Sequence, residues 1–212
     1  MVVKNMEEWD AFLFPYQQAV SELKIKLRGI KKEFERNRQT APIEFVTGRV
    51  KPVSSIKEKM VRRYISEDRL AQDMEDIAGL RIICPFVDDI YKVVDILRKR
   101  GDLNILEERD YVHNAKNSGY RSYHIVFEYG IDLYNGEKSI LAEIQIRTLA
   151  MNFWATVEHS LGYKHKGEFP DDLKKRLQIA ATKTFKLDED MLKIKDELEY
   201  INSSDSNIKD DE

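Results

Sequence analysis

The chain is organised around SILAEIQIRT, residues 139–148. Apolar and polar residues alternate strictly along its second half, which is typical of a β-strand with one buried face. The apolar face holds Ala142, Ile144 and Ile146, and the other face holds Glu143, Gln145 and Arg147. The polar face is compatible with an ordinary solvated surface. An acid, an amide and a guanidinium at alternate positions could also bind a metal ion, a base edge and a phosphate together.

The composition indicates one globular domain with appendages. The chain has 212 residues, of which 42% are hydrophobic and 34% are charged, so it can bury a core beneath a charged surface. Its net charge of -3 argues against a globally basic nucleic-acid binder but allows a local basic cleft. A single cysteine, Cys84, excludes a disulfide within the chain and suits a reducing compartment. With no leader and no long apolar run, we expect a cytoplasmic protein with no membrane partner.

Two long segments have the apolar spacing of amphipathic helices. In residues 5–36, apolar side chains recur at alternating intervals of four and three, and the same spacing runs through residues 171–201. Two such helices carry more apolar surface than a small domain must bury. We expect them to pack on the sheet, on each other or on another subunit, and we predict a homo-oligomer. Residues 202–212 are acidic and polar and are predicted to form a disordered tail.

The segments between these helices predict a small mixed sheet. The dipeptide Asn135-Gly136 separates two apolar-rich runs and is a strong hairpin signal. Predicted strands cover 77–86, 102–110, 123–131 and 139–148, and predicted helices cover 53–64, 88–100 and 149–163. This order of elements favours an α+β domain.

Three groups of residues could carry chemistry. A basic run from Arg49 to Arg63 is explained by a solvated helix, or by a cradle for a triphosphate. Arg81 lies inside an apolar strand, where an unpaired charge is costly, so we expect it to meet an acid or a phosphate. Asp76 and Glu143 together could hold Mg²⁺, which typically takes one or two carboxylates plus substrate phosphates. No Walker-type loop is present, which excludes a P-loop enzyme.

The third group is a loop that carries Lys116 and Tyr120 just ahead of a predicted strand. A tyrosine can stack on a base while neighbouring cations take phosphate. Alone, this combination is weak evidence for nucleotide binding.

Three blocks resemble the signature blocks of the guanosine tetra- and pentaphosphate synthetase domain. They are DIAGLR at 76–81, GYRSYH at 119–124 and EIQIRT at 143–148, and their order and spacing also match. Two further stretches resemble the small alarmone synthetases of Firmicute bacteria, the RelQ type in particular: PIEFVTGRVKP at 42–52 and MNFWATVEHSL at 151–161. The resemblance implies one synthetase domain over residues 1–201, with a nucleotidyltransferase-like mixed five-stranded sheet flanked by helices.

The resemblance also implies an activity and a set of site residues. The expected reaction is transfer of the β,γ-pyrophosphate of ATP to the 3′-hydroxyl of GDP or GTP, which gives AMP and ppGpp or pppGpp. By the same resemblance Asp76 would be the Mg²⁺ ligand, and Glu143 would be a second metal ligand or the base for the 3′-hydroxyl. ATP would be held by Arg49, Lys51, Ser55, Lys59, Arg62 or Arg63, and Arg81. The acceptor nucleotide would be held by Arg109, Lys116, Gln145, Asn152 and His159, with Tyr120 stacked on guanine.

A second (p)ppGpp site is implied for the RelQ type, between the subunits of a homotetramer. Its expected residues are Lys24, Arg28, Lys31, Glu44, Phe45, Thr47 and Gly48, and ligand bound there would favour the active assembly. The basic residues of this set are otherwise an ordinary charged stripe on the first helix. Single-stranded RNA is a further possible partner.

Hydrolysis of the product is not expected. The large relatives carry a His-Asp metal motif, and none of the four histidines here is followed by Asp. Two other functions compete with alarmone synthesis: a toxic synthetase that modifies the 3′ end of tRNA, and a non-enzymatic nucleotide- or RNA-binding regulator. The 42–52 stretch argues against the first, and the presence of both Asp76 and Glu143 argues against the second.

Overall fold

The structure is a computed structural model that describes residues 6–164 and 169–209. Six α-helices and five strands alternate in the order expected of an α+β domain, with one 3-10 turn at Glu67–Arg69. The helices are α1 Met6–Arg36, α2 Val53–Arg63, α3 Leu70–Asp73, α4 Val87–Arg98, α5 Leu149–Lys164 and α6 Asp171–Lys209. The strands are β1 Phe45–Val50, β2 Ala78–Cys84, β3 Asn104–Asp110, β4 Tyr123–Leu133 and β5 Gly136–Thr148.

The stretch at 139–148 forms most of β5, the central strand of a five-stranded sheet with the order β1-β2-β5-β4-β3. β2 and β5 run parallel, and every other neighbouring pair is antiparallel. A parallel pair needs a long crossover, which the chain between β2 and β5 supplies. Gly136 follows the hairpin turn with φ of 117°, a value that favours glycine. The predicted mixed five-stranded sheet is therefore confirmed.

The apolar face of the sheet is the main core. Ala142, Ile144 and Ile146 are each 0% exposed, as their alternation predicts. The buried stripe of α1, from Trp9 to Ile30, and the buried face of α4 join them in one cluster. Each fully buried Leu or Ile contributes roughly 1.5–3 kcal/mol. The apolar stripe of α1 is thus used on the sheet of its own chain.

The apolar residues of α6 are placed differently. Leu187, Met191, Ile194, Leu198 and Ile201 are 46–57% exposed, so the predicted seam is not covered by this chain. An uncovered stripe of this length is typical of a subunit interface. The exposed stripe of α6 supports the prediction of a homo-oligomer. The stripe of α1 does not, because it is buried within the chain.

The regularly spaced apolar side chains of α5 are exposed, and a different face of the helix is buried. Leu149, Phe153, Val157 and Leu161 are 40–67% exposed. Met151, Trp154 and Ala155 are buried instead, the last two against α6. The helix therefore adds a second uncovered apolar stripe beside that of α6.

Helix α6 does not end at Ile201, and the prediction of disorder is wrong for residues 202–209, which are helical. The hydroxyls of Ser203 and Ser204 donate to the carbonyl of Tyr200 at 2.8 and 3.0 Å. These polar residues satisfy their hydrogen-bonding groups within the helix, so they do not stop it. Residues 210–212 lie outside the described part of the chain. Within the described residues no helix is both long enough and apolar enough to span a membrane.

Strand β5 runs into α5 without a connecting loop. The Thr148 hydroxyl accepts a hydrogen bond from the Met151 amide at 3.0 Å, which caps the first turn of α5. The same hydroxyl donates to the Asp188 carboxylate of α6 at 2.7 Å. One side chain therefore ties the central strand to both C-terminal helices.

Candidate active site

The polar face of the sheet carries one continuous row of side chains. The pairing registers set Thr47, Arg81, Gln145, His124 and Arg109 next to one another across all five strands. Glu143 lies two residues from Gln145 and so shares this face. A cavity of about 260 Å³ opens over the β1, β2 and β5 part of the row. It is lined by Thr47, Gly48, Arg49, Lys51, Asp76, Gly79, Leu80, Arg81, Glu143 and Gln145.

Asp76 lies just before β2 at the wall of this cavity. Its two carboxylate oxygens accept hydrogen bonds from Lys51 at 2.6 Å and from Lys59 at 2.8 Å. Burial alone would raise the pKa of Asp76, but the two lysine hydrogen bonds lower it below its usual value. Asp76 is therefore ionised at neutral pH, with two cations beside it.

Glu143 is buried on β5, where only 7% of it is exposed. One carboxylate oxygen contacts Nδ1 of His124 at 2.7 Å, and the other accepts from the Gln145 amide at 2.9 Å. Burial raises the pKa of Glu143, whereas the hydrogen bonds from His124 and Gln145 lower it, and the net direction is down. Glu143 is thus also ionised, so the cavity holds two negative groups.

A closed ring of hydrogen bonds fixes the position of Glu143. From His124 it continues through Nε2 to the Tyr120 hydroxyl at 2.8 Å. Arg147 donates to that hydroxyl at 2.5 Å and to the Gln145 amide oxygen at 2.7 Å, which returns the ring to Glu143. In a neutral imidazole that donates from Nδ1 to Glu143, Nε2 accepts from the Tyr120 hydroxyl. Arg147 is therefore a structural partner of Glu143, acting through Gln145 and Tyr120.

Arg81 is a half-buried charge on the polar face of β2. It forms no ion pair within the described residues. Burial lowers the pKa of Arg81, and the charges of Arg147 and Arg49 lower it further, whereas the charge of Glu143 opposes them without forming an ion pair. A half-buried guanidinium with two cationic neighbours needs an anion from outside the chain. Arg81 was expected to pair with an acid or with a phosphate. It pairs with no acid of the described residues, so a phosphate is the partner that the structure favours.

The loop between β3 and β4, residues 111–122, carries the predicted acceptor groups. Lys116 lies over the rings of Tyr111 and Tyr120, at 4.4 and 5.0 Å from their centroids. Burial lowers the pKa of Lys116, and so do the charges of Arg109 and Arg63. The Tyr120 ring packs against Trp154, Ala155 and Ala181 of α5 and α6. The loop thus presents its lysine and its tyrosine together, beside Glu143.

Arg109 is already paired. Its guanidinium donates to both carboxylate oxygens of Glu75 at 3.0 and 2.9 Å and also contacts Glu107. These hydrogen bonds raise the pKa of Arg109. An incoming phosphate must therefore compete with two carboxylates for this side chain.

The remaining predicted residues fall around the cavity without lining it. Ser55 and Lys59 are half-buried on α2, and Arg62 and Arg63 are exposed at its end. On α5, Asn152 is half-buried and His159 is exposed. Of the two arginines at 62 and 63, Arg63 lies close enough to the acceptor loop for its charge to lower the pKa of Lys116.

The predicted second site is divided between two hollows. Arg28, Lys31, Glu44 and Phe45 line a cavity of about 290 Å³ between α1 and β1. Thr47 and Gly48 line the central cavity instead. Gly48 also lies close to α1: a Cβ at this residue would be 2.9 Å from the Val20 side chain and 3.2 Å from the Lys24 side chain. The edge strand therefore has one candidate site on each side.

His124 and Tyr111 are site residues that the sequence patterns missed. His124 is buried between Glu143 and Tyr120, and Tyr111 packs edge-on against His124 with ring centroids 5.3 Å apart. A signal was available for His124, because it lies in the GYRSYH block and alternates with apolar residues in a strand. Its role depends on the pairing of β4 with β5, which no local pattern gives.

A divalent cation fits the two carboxylates. The described residues hold no cluster of three or more His, Cys, Asp or Glu side chains, so no all-protein metal cage exists among them. Asp76 and Glu143 line the same cavity and are both ionised. Mg²⁺ commonly uses one or two carboxylates and completes its shell with waters and substrate phosphates.

Comparisons with known proteins agree on one family. The family profile described as the region found in RelA/SpoT proteins matches residues 48–168. The chain is 53% identical to GTP pyrophosphokinase YjbM of Bacillus subtilis over 193 residues, which is 91% of each protein. A crystal structure of the Bacillus subtilis small alarmone synthetase 1, bound to its product pppGpp, matches with a TM-score of 0.87 and 53% identity, over 90% of this chain and 98% of that one.

A third match extends the agreement to another organism. It is a GTP pyrophosphokinase family protein from Streptococcus pneumoniae, with a TM-score of 0.87 and 60% identity, over 93% of this chain and 97% of that one. The matches to YjbM and to the two crystal structures cover nearly the whole of both chains, so they include the long terminal helices as well as the sheet.

Proposed function

The chain belongs to the RelA/SpoT family, as a small alarmone synthetase of the RelQ type, and from this membership we propose that it is a GTP pyrophosphokinase. The 3′-oxygen of GDP or GTP attacks the β-phosphorus of ATP. The bond between that phosphorus and the α,β-bridging oxygen breaks, and AMP leaves with this oxygen. The β,γ-pyrophosphate moves to the 3′-oxygen, whose proton is released, and the products are AMP and ppGpp or pppGpp.

The observation that carries this proposal is the charge pattern of the central cavity. Arg81 lies there without an ion pair, beside Arg49 and Arg147. Two ionised carboxylates, Asp76 and Glu143, line the same cavity. Polyphosphate together with a divalent cation matches both signs of charge at once, whereas a simple anion or a simple cation matches only one.

On the donor side, the cations hold and orient the triphosphate. Arg49 and Arg81 are forked donors on adjacent strands, and Lys51 and Lys59 supply point charges beside Asp76. Ser55 and Arg62 or Arg63 of α2 would complete the set. Pyrophosphoryl transfer depends mainly on such positioning and charge neutralisation, because the protein need form no covalent intermediate.

Mg²⁺ is part of the proposal, with Asp76 and Glu143 as its ligands. When bound, it would neutralise phosphate charge and polarise the transferred group. Hydrogen bonds from Lys51 and Lys59 keep Asp76 ionised, as a metal ligand must be. The same two lysines would also supply positive charge to the phosphates.

On the acceptor side, Glu143 would accept the hydrogen bond of the 3′-hydroxyl or bind the metal. Its lowered pKa suits an orienting acceptor or a ligand better than a strong base. Tyr120 and Lys116 would take the guanine ring and a phosphate. Arg109, Gln145, Asn152 and His159 complete the proposed acceptor set.

The remaining expectations belong to the same proposal. A second (p)ppGpp site would use Lys24, Arg28, Lys31, Glu44, Phe45, Thr47 and Gly48. The uncovered stripes of α5 and α6 support a homo-oligomer, with a tetramer as the expected state. A cytoplasmic location, the lack of hydrolase activity and binding of single-stranded RNA stay predictions.

Labelled ATP tests the proposal directly. The protein is incubated with Mg²⁺, with ATP labelled at either the α- or the γ-phosphate, and with GDP, GTP or tRNA as acceptor. Chromatography should then show the γ-label in ppGpp or pppGpp and the α-label in AMP. Label in ADP would indicate transfer of a single phosphoryl group, label on tRNA would favour the toxin, and no transfer would favour a binding protein.

A further inference from the structure

Helix α6 forms a platform beneath the acceptor loop. Gly119 has φ of 90°, and a Cβ at this residue would lie 2.5 Å from the Cβ of Ala181. The loop backbone therefore rests directly on the helix, which requires glycine on one side and a small residue on the other. Ala181 itself is only 5% exposed.

Two side chains of α6 hold the loop on either side of this contact. Gln178 donates to the carbonyl of Asn117 at 2.8 Å. Phe185 lies against the guanidinium of Arg121, at 3.7 Å from its ring centroid, and Arg121 donates to the carbonyl of Val112. These α6 residues meet the loop from its middle to its C-terminal end, and Arg121 links that end to Val112 near the start of the loop.

The loop in turn delivers the groups that face the acceptor. Lys116 accepts at its carbonyl from the Gly119 amide at 2.7 Å and donates from its own amide to the carbonyl of Tyr120 at 3.1 Å. This turn fixes the two side chains relative to Gly119. Any shift of the loop against α6 therefore shifts Lys116 and Tyr120 together.

We propose that Gln178, Ala181 and Phe185 are positioning residues for the acceptor nucleotide, which set its affinity through the loop without touching it. The proposal rests on the assignment of the loop to GDP or GTP. The donor cations lie on or next to β1, α2 and β2, and among the described residues no hydrogen bond or ion pair joins them to α6. Changes in these α6 residues should therefore separate acceptor binding from ATP binding.

Two variants and one matched control test the platform. Ala181→Leu inserts a large side chain under Gly119, and the KM for GDP should rise about tenfold or more while the KM for ATP stays within twofold. Gln178→Glu keeps the size but removes the donor to Asn117, and the KM for GDP should rise about three- to tenfold. Ala180→Leu makes the same change as Ala181→Leu at an exposed neighbouring position and should leave both KM values unchanged.

Calorimetric titration with GDP alone gives a readout that does not depend on turnover. GDP should bind the two loop-directed variants more weakly by the same factors as the KM values change. Equal losses for GDP and ATP, or no change in the folded Gln178→Glu variant, would overturn the platform. If the unchanged protein makes no alarmone but binds GDP, the proposed function fails while the titration still tests the platform.

Discussion

The donor half and the acceptor half of the site hold their charged groups in different ways. In the donor half, Arg81 lies on a regular strand and forms no ion pair with any residue that the structure describes, so it is open to a substrate phosphate. In the acceptor half, Arg109 and Arg147 are satisfied by the protein itself. The donor half thus combines an arginine that is open to phosphate with two lysines that pair with Asp76. The acceptor half is a hydrogen-bonded assembly that a loop completes.

The two halves should respond differently to the loss of one side chain. Loss of a donor cation removes attraction for phosphate and leaves the rest of the sheet in place. Loss of an acceptor-side group leaves its partners unpaired and lets the assembly relax. Glu143 lies where the two halves meet, so it should be the most sensitive position of all.

The largest effect is expected for Glu143→Gln. This change keeps the size and the hydrogen-bonding reach but removes the charge that faces the metal and the 3′-hydroxyl, so kcat should fall about 10³-fold or more. Turnover is measured with labelled ATP, and circular dichroism checks the fold. Glu137→Gln, on an exposed part of the same strand, is the control and should keep full activity. If kcat of the Glu143→Gln variant falls less than tenfold, Glu143 does not take part in the reaction.

The next effect is expected for Arg81→Ala. The KM for ATP should rise about 10- to 100-fold, the value of one or two charge-assisted hydrogen bonds, and the affinity for GDP should stay within a few-fold. Arg69→Ala is the control, since Arg69 is exposed and pairs with Asp73 one turn along the chain. Equal losses of ATP and GDP affinity would contradict the division of the site into two halves.

A smaller effect is expected for Tyr120→Phe, which opens the hydrogen-bonded ring but keeps the aromatic face. His124 and Arg147 each lose a partner, so kcat/KM for GDP should fall about 5- to 20-fold while the KM for ATP is unchanged. Tyr134→Phe, at the exposed hairpin turn, should have no effect. An unchanged Tyr120→Phe enzyme would show that the ring is not needed to position Glu143.

The smallest effect on activity is expected at Asp188, which joins the acceptor half to α6. Burial raises the pKa of Asp188 to about 6 even though Thr148 donates to it. Because the folded state then binds the proton more tightly than the unfolded state, this group favours folding at low pH, and its contribution is lost as the pH rises through about 6. Asp188→Asn should remove this dependence and raise the free energy of unfolding at pH near 8 by about 1–3 kcal/mol.

Urea unfolding at pH 5 and pH 8, at one protein concentration, measures this difference. Asp196→Asn, on an exposed face of α6, provides the control. Activity at neutral pH should change less than twofold. If the unchanged protein and the Asp188→Asn variant have the same pH dependence of stability, the Asp188 side chain is not titrating in this range.

The sequence could predict those parts of the structure that depend on local periodicity. The alternation in β5 was enough to place Ala142 and Glu143 on opposite faces, because a strand has a period of two. The stripe of α1 likewise predicted a buried face. The spacing does not predict what covers an apolar stripe. The stripe of α1 is buried against the sheet, whereas the stripe of α6 is exposed, although both have the same spacing.

Other features needed the tertiary structure. Arg109 was expected to hold the acceptor, but its bidentate pairing with Glu75 joins residues from different parts of the chain. His124 was overlooked because its partners come from β5 and from the loop. The end of α6 was placed too early because polar composition suggested disorder, although serine hydroxyls can be satisfied inside a helix.

The direct connection of β5 to α5 restricts where residues can be inserted into this protein or deleted from it. Loops usually absorb inserted residues, but no loop separates Thr148 from Leu149. One inserted residue would turn α5 by about 100° and move it about 1.5 Å along its axis. Trp154 would leave its hydrogen bond to the Leu177 carbonyl, and Asp188 would lose the Thr148 hydroxyl. Insertions and deletions should therefore be tolerated at the β4–β5 hairpin turn and excluded from this junction.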